Sequence, residues 1–295
     1  MVSRRSAIEL REQLRSALPL LERHTVSDSW ALNTYVACDI RCNYCITMAQ
    51  GTSTPRAPRA AIGDQLRAEL DTIELDHLVV GPYCDVYPSV EADVFVTRAG
   101  LEVLAERDIG FMLITKGTTV VRDADLLRHP GTVVQMSICS LDADVLARLE
   151  PGAPSPEARV CALEDLTARG VAVLVLATPW IPGLTDLVAL RERIDASIFI
   201  NTTPLRLPPE LDRTRCALGV EQHQVNRAYL AEYQRLHDLE GIRWSRPPPL
   251  DGSPPHMRDN IGRRRLRTAE PAPTAPDPGP PLPVTRWPRD ERRDA

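Results

Sequence analysis

Residues 30–48 read WALNTYVACDIRCNYCITM, and three of the chain's seven cysteines, Cys38, Cys42 and Cys45, fall within eight residues there. Their spacing is C-x3-C-x2-C. Three thiolates can hold three corners of a [4Fe–4S] cluster and leave the fourth iron without a protein ligand. Electron-transfer clusters take four cysteines as a rule. An open coordination position is where metal sites do chemistry. A structural zinc site would need a fourth Cys or His, and the nearest downstream candidates, His77 and Cys84, are more than thirty residues away.

Outward from this stretch the pattern becomes strand, loop and helix, repeated. Apolar strand-like runs occur at 32–37, 77–81, 110–115, 132–138, 171–177 and 196–200. Helical patterns lie between them at about 59–71, 97–108, 156–169 and 184–194. Buried parallel strands alternating with covering helices predict an α/β fold. Six units are too few for a closed eight-fold barrel, so the expectation is a partial (β/α)6 TIM-like barrel with its chemistry at the C-terminal strand ends. Upstream, residues 5–23 read as an amphipathic helix through Ile8, Leu10, Leu14, Leu18 and Leu21. Downstream, a helix is expected at 219–239 and a short strand at 241–244. The expected organisation is an N-terminal helical extension (1–29), the barrel core (30–202), elements closing the barrel (203–245) and a Pro/Arg-rich disordered tail (246–295). That tail holds most of the 27 prolines and cannot build a core.

The chain has 295 residues, 43% of them hydrophobic, and a formal net charge of −5. An acidic balance argues against broad nucleic-acid binding. No apolar run approaches the roughly 18 residues that a membrane-spanning helix needs. The N-terminus carries charge throughout and lacks the apolar core of a signal peptide, so a cytoplasmic location is expected. An odd, unevenly spaced set of cysteines points to metal or redox chemistry rather than a disulfide framework.

Four blocks then carry a resemblance: LNTYVACDIRCNYC, VGPYCDVYPSVE, LEVLAERDIGFMLITKG and EPGAPSPEARVCALEDLTARGVAVLVLATPWIPGLTD. In this order, over about residues 30–190, the chain resembles the spore photoproduct lyase-like branch of the radical S-adenosylmethionine (radical SAM) superfamily. The resemblance implies that the cofactor itself fills the open iron position. One electron from the cluster then cleaves its sulfonium, and the 5′-deoxyadenosyl radical abstracts hydrogen from substrate.

By position, the resemblance makes Cys38, Cys42 and Cys45 the cluster ligands. It makes Tyr44, Lys116, Ser137 and Ala177 the S-adenosylmethionine contacts, with Asp85 in the matching 81–87 loop. The chain departs from the pattern at Cys84. Members that repair spore photoproduct carry a hydrogen-donor cysteine about two residues earlier, where this chain has Pro82. Cys84 and Cys139 are therefore candidate hydrogen-atom donors that the pattern does not itself match. Glu91 and Arg159 are further candidates, for substrate or cofactor and for a carboxylate or phosphate. Cys161 reads as packing, and Cys216 has no assignment.

The lyase branch repairs DNA, and the best basic run here is Arg258, Arg263, Arg264, Arg265 and Arg267, outside the resembling region. Such runs are usually solvated. The expected partner is therefore a small molecule (a nucleoside, sugar or peptide-derived metabolite), with Asn201, Arg206 and Arg213 as candidate contacts. The implied reductant is a flavodoxin or ferredoxin. The alternatives are a lyase-like DNA repair enzyme and a non-catalytic iron–sulfur scaffold or electron carrier. The presence of Lys116, Ser137 and the GPYCD loop favours catalysis over the last.

Overall fold

The computed structural model describes residues 19–24, 29–45, 61–75, 77–205 and 221–244. The expected helix over residues 5–18, Arg206, Arg213, Cys216, the basic run and the 246–295 tail lie outside the described residues.

Eight strands form one sheet in chain order. They are β1 (Leu21–Arg23), β2 (Trp30–Leu32), β3 (His77–Val80), β4 (Gly110–Thr115), β5 (Val133–Ser137), β6 (Val173–Trp180), β7 (Ile200–Pro204) and β8 (Ile242–Trp244). β1 runs antiparallel to β2, and every later neighbour is parallel. The helices are α1 (Ile62–Leu70), α2 (Glu91–Val94), α3 (Val96–Glu106), α4 (Ala143–Leu149), α5 (Pro156–Ala168), α6 (Leu187–Arg193) and α7 (Gln222–Leu236), with a 3-10 turn at Thr118–Asp123. Parallel neighbours in chain order need crossovers of one hand, and these set the covering helices on one face.

That face is the main core. Leu78 and Val80, Phe111 and Leu113, Val134 and Met136, Val175 and Ala177 pack there against Leu66, Leu101, Leu104, Val160 and Leu163. Side chains alternate along a strand. Val79, Met112, Gln135 and Leu176 therefore lie on the other face, where the Gln135 amide donates to Met112 Sδ at 2.7 Å. The C-terminal ends of β2–β7 share one rim.

The α/β prediction holds, and all seven parallel strands were expected within a few residues. Three details differ. Residues 21–23 are strand, not the end of a helix: Glu69 of α1 accepts the Leu20 and Leu21 amides, and Leu21 pairs with Leu32. The first apolar run enters the sheet at 30–32 rather than 32–37. Residues 34 and 35 are buried instead by side-chain bonds, Thr34 to Thr97 at 2.8 Å and the Tyr35 hydroxyl to Glu91. The last long strand lies at 200–204 rather than 196–200, because Thr202 bonds to the Ala177 carbonyl and accepts the Tyr229 hydroxyl at its own. Helix α4 was not foreseen; Asp142 caps it by accepting the amides of Asp144 and Val145.

Candidate active site

The cysteine loop leaves β2 and is held from two sides. On one side, Asp39 accepts the Ser89 amide at 3.1 Å, tying the loop to the turn before α2. On the other, the Asn43 amide donates to the Leu149 carbonyl and the Gly152 amide to the Ile40 carbonyl, both at 2.8 Å. Gly152 is required here: a Cβ would stand 2.2 Å from the Asp39 carbonyl oxygen and 2.8 Å from Ile40 Cα. Gly81, at the end of β3, is the matching case on the other flank. It has φ +76°, and a Cβ there would meet the Ile114 carbonyl oxygen at 2.8 Å.

Thus clamped, the loop sets its thiols in a largely buried environment. Burial pushes Cys42 up to about 12, with Cys38, Cys45 and Glu150 adding to the rise and Lys116 opposing it. Burial also raises Cys38, against the backbone N–H groups of Asp85 and Ile40, which point at its sulfur. Amide donors of this kind favour an anionic, metal-bound sulfur. Two further thiols border the loop. Cys84, buried, donates to the Tyr35 carbonyl at 2.6 Å, and burial with the charges of Cys38 and Asp85 holds it well above the ordinary thiol range. Cys139, at the end of β5, sits 3.8 Å from Glu150 Oε1; burial and that carboxylate raise it, and Cys42 acts on it too.

The strand ends complete the rim. Asp85 uses its carboxylate inside the protein, accepting the Thr115 hydroxyl at 2.7 Å, the Tyr87 amide at 2.9 Å and the Lys116 amide at 2.6 Å. It therefore fixes the backbone from which Lys116 projects. The Lys116 ammonium lies 3.9 Å from Glu150 Oε1 and 5.8 Å from the centre of the Tyr44 ring. Burial works against its charge, but Cys42, Glu150 and Asp85 outweigh that and hold it above its ordinary value. Ser137 ends β5, and its carbonyl accepts Arg159 at 2.9 Å. Ala177 is fully buried, and its carbonyl accepts the Thr202 hydroxyl at 3.2 Å.

Cys38, Cys42, Cys45, Tyr44, Asp85, Lys116, Cys84 and Cys139 are thus brought together through contacts or mutual charge. Ser137 joins them through Arg159. Among the described residues Ala177 bonds to Thr202 rather than to any of these, and Asn201 lies on β7 with its side-chain oxygen buried and unpaired.

Two expectations are corrected, for Glu91 and Cys161. Glu91 is not open to a ligand. It is buried and accepts Tyr35, the amides of Val96 and Thr97, and Arg122 at 2.8 Å, so it anchors the start of α3. Arg159 is fully buried and lies 2.6 Å from the Glu150 carboxylate, so the carboxylate it meets belongs to the protein itself. Cys161 is exposed rather than packed. Glu150 was missed as a site residue. It heads the EPGAPSPEAR block, where an acid nine residues before an arginine was the available signal.

The Radical SAM superfamily model matches residues 32–194. The chain belongs to the radical SAM superfamily. An uncharacterized protein of Mycobacterium tuberculosis is 26% identical over 173 residues, covering 53% of this chain and 51% of that relative. An uncharacterized protein of Acidianus two-tailed virus is 25% identical over 183 residues, covering 53% and 58%. The chain spans about half the length of the curated relatives it matches. A spore photoproduct lyase complexed with dinucleoside spore photoproduct shares the fold at TM-score 0.61 and 15% identity, over 79% of this chain and 81% of that one. Streptococcus suis SuiB bound to S-adenosylmethionine does so at 0.54 and 10%, over 82% and 53%.

The cofactors of the superfamily are a [4Fe–4S] cluster and S-adenosylmethionine. Among the described residues no group of three or more His, Cys, Asp or Glu is placed to hold a single metal ion. The donor chemistry fits a cluster: three cysteines lie on one loop, backbone N–H groups point at the Cys38 sulfur, and the Lys116 charge acts on Cys42. Among the described residues no helix is long and apolar enough to cross a membrane.

Proposed function

We propose that this chain is a radical SAM enzyme whose cluster is held by Cys38, Cys42 and Cys45 and which abstracts hydrogen from a small-molecule substrate. The observation that carries this is the three-cysteine loop after β2 with Lys116, just after β4, set 5.8 Å from the ring of Tyr44 of that loop and 3.9 Å from Glu150. When bound, the cluster supplies one electron that cleaves S-adenosylmethionine to methionine and the hydrogen-abstracting 5′-deoxyadenosyl radical.

The chain's own residues prepare that chemistry. The clamp on residues 39–43 fixes the sulfurs before metal arrives. Lys116, held charged, is placed to meet a carboxylate, and Tyr44 bounds the same space. Ser137 at the end of β5 and the Ala177 backbone within β6, beside the register shift that follows it, are further cofactor contacts, and Asp85 braces the Lys116 backbone.

Either Cys84 or Cys139 is the hydrogen-atom donor in this reading. Burial keeps both protonated, and a donor must carry its S–H. The S–H bond breaks and a substrate C–H bond forms; the thiyl radical left behind takes one electron from the external reductant, a small flavin or iron–sulfur protein, and one proton from solvent to restore the thiol.

The same fold serves a lyase solved with a dinucleoside and an enzyme solved with a precursor peptide. The fold therefore does not choose the substrate. A small neutral metabolite is favoured over DNA by the acidic net charge of −5.

The test is anaerobic reconstitution with iron and sulfide, then S-adenosylmethionine and dithionite, with 5′-deoxyadenosine read by chromatography. The parent should release it, and Cys38→Ala, Cys42→Ala and Cys45→Ala should not. A fully loaded cluster with no cleavage under any reductant would transfer the chain to the scaffold or electron-carrier reading.

A further inference from the structure

Glu150 closes α4 and is buried, its amide bonded back to the Leu146 carbonyl at 2.7 Å. Its two oxygens are divided. Oε2 belongs to Arg159 at 2.6 Å, and Arg159 is itself pinned by the carbonyls of Ser137 at 2.9 Å and Pro154 at 2.8 Å. Oε1 serves three groups from three elements: the Tyr44 hydroxyl of the cysteine loop, the Lys116 ammonium after β4 at 3.9 Å, and the Cys139 thiol after β5 at 3.8 Å.

A carboxylate buried to this degree is costly to keep charged without partners. The Arg159 guanidinium offsets its charge at 2.6 Å, an ion-pair approach that leaves Glu150 Oε2 and Arg159 Nη2 without hydrogen-bond geometry. The second oxygen is therefore free to act on the site, and it reaches two groups placed to touch a cofactor, Tyr44 and Lys116. Among the described residues neither side chain has another hydrogen bond or ion pair. The 5.8 Å approach of the Lys116 ammonium to the Tyr44 ring follows from their sharing one oxygen.

We propose that Glu150 is a positioning residue for S-adenosylmethionine: its Oε1 holds the Tyr44 hydroxyl and the Lys116 ammonium in the arrangement that receives the cofactor. This rests on the radical SAM reading above. Arg159 sets the orientation of the carboxylate, so that Oε1 and not Oε2 faces the rim. The coupling joins the cysteine loop to the β4 end, and cofactor affinity depends on the state of that loop.

The experiment is a double-mutant cycle on cofactor affinity, with S-adenosylmethionine binding to the cluster-loaded protein measured by anaerobic equilibrium dialysis. Glu150→Ala should weaken binding about tenfold in the parent. In a Tyr44→Phe, Lys116→Met background, where nothing is left to position, the same change should cost less than about twofold. Glu150→Gln, which keeps an acceptor for Tyr44 but not the charge for Lys116, should fall between. A second readout needs no cofactor: hydrogen exchange in the peptide spanning residues 38–45 should speed up in Glu150→Ala while peptides from β6 and β7 stay at parent rates.

An equal loss in both backgrounds would assign Glu150 to the fold alone and overturn the proposal. So would unchanged exchange in the 38–45 peptide. Should Glu150→Ala not fold, the cycle is run with Glu150→Gln, which preserves volume, and the same additivity decides. A parent that binds no S-adenosylmethionine at full cluster loading overturns the radical SAM reading and this proposal together. A parent that binds, with an additive cycle, removes only this one.

Discussion

Gly152 shows how one atom governs the site. It is solvent-exposed, so no core depends on it, yet a methyl group there meets the backbone of Asp39 and Ile40 rather than a side chain that can swing aside. Gly152→Ala should push the cysteine loop outward at a cost of about 1–3 kcal/mol. Iron bound after reconstitution should fall while far-ultraviolet circular dichroism stays at the parent level; the two together are the check. Glu150 and Arg159 make the complementary point. The cysteines were readable because three ligands sit within eight residues. The Tyr44–Glu150 bond joins residues 106 apart, and no local pattern reports a pairing at that range.

At the level of elements, α4 and the cysteine loop depend on each other. The helix has seven residues and would be marginal alone. Its start rests on the Asp142 cap, and its end supplies the Leu149 carbonyl to Asn43 and the Glu150 carboxylate to Tyr44. Asp142→Ala should cost about 0.5–2 kcal/mol of stability. It should also lower cluster retention in a desalting assay more than an equally destabilising change in α6 would. The shift of β7 to 200–204 has the same kind of origin. INTTP has little apolar character, but Thr202 spends its hydroxyl and carbonyl on β6 and α7. Tertiary bonds made strand out of residues whose composition suggested loop.

Across the whole molecule, the buried phenols predict how the fold responds to alkali. Burial first, and then the charge of Asp123, hold Tyr87 well above its ordinary value, and its hydroxyl donates to Asp123 at 3.0 Å. The folded state therefore keeps a proton that the unfolded state releases near pH 10. Stability from this group is complete below about pH 10 and is lost as pH rises from there towards the folded value. Tyr87→Phe should lower the melting temperature at pH 7 through the lost hydrogen bond, worth about 1 kcal/mol. It should also make the decline between pH 10 and 11 shallower. Melting curves from pH 7 to 11 on both proteins decide it, and a decline of unchanged steepness would remove Tyr87 from the account.

What the sequence by itself determined were the features encoded over short range. These are the alternation of apolar strands with helices, which requires a parallel sheet with a shared rim, and the C-x3-C-x2-C loop on that rim. Lys116 and Ser137 were named by the resemblance; Lys116 directly follows β4 and Ser137 ends β5, so each lies at that rim. Only the tertiary structure decided that residues 21–23 pair as a strand, that Glu91 serves α3, and that Glu150 links the loop to β4. In each case a buried polar group took partners from distant segments. Such a group must be satisfied wherever the fold places it, and where the fold places it is not written in its neighbours.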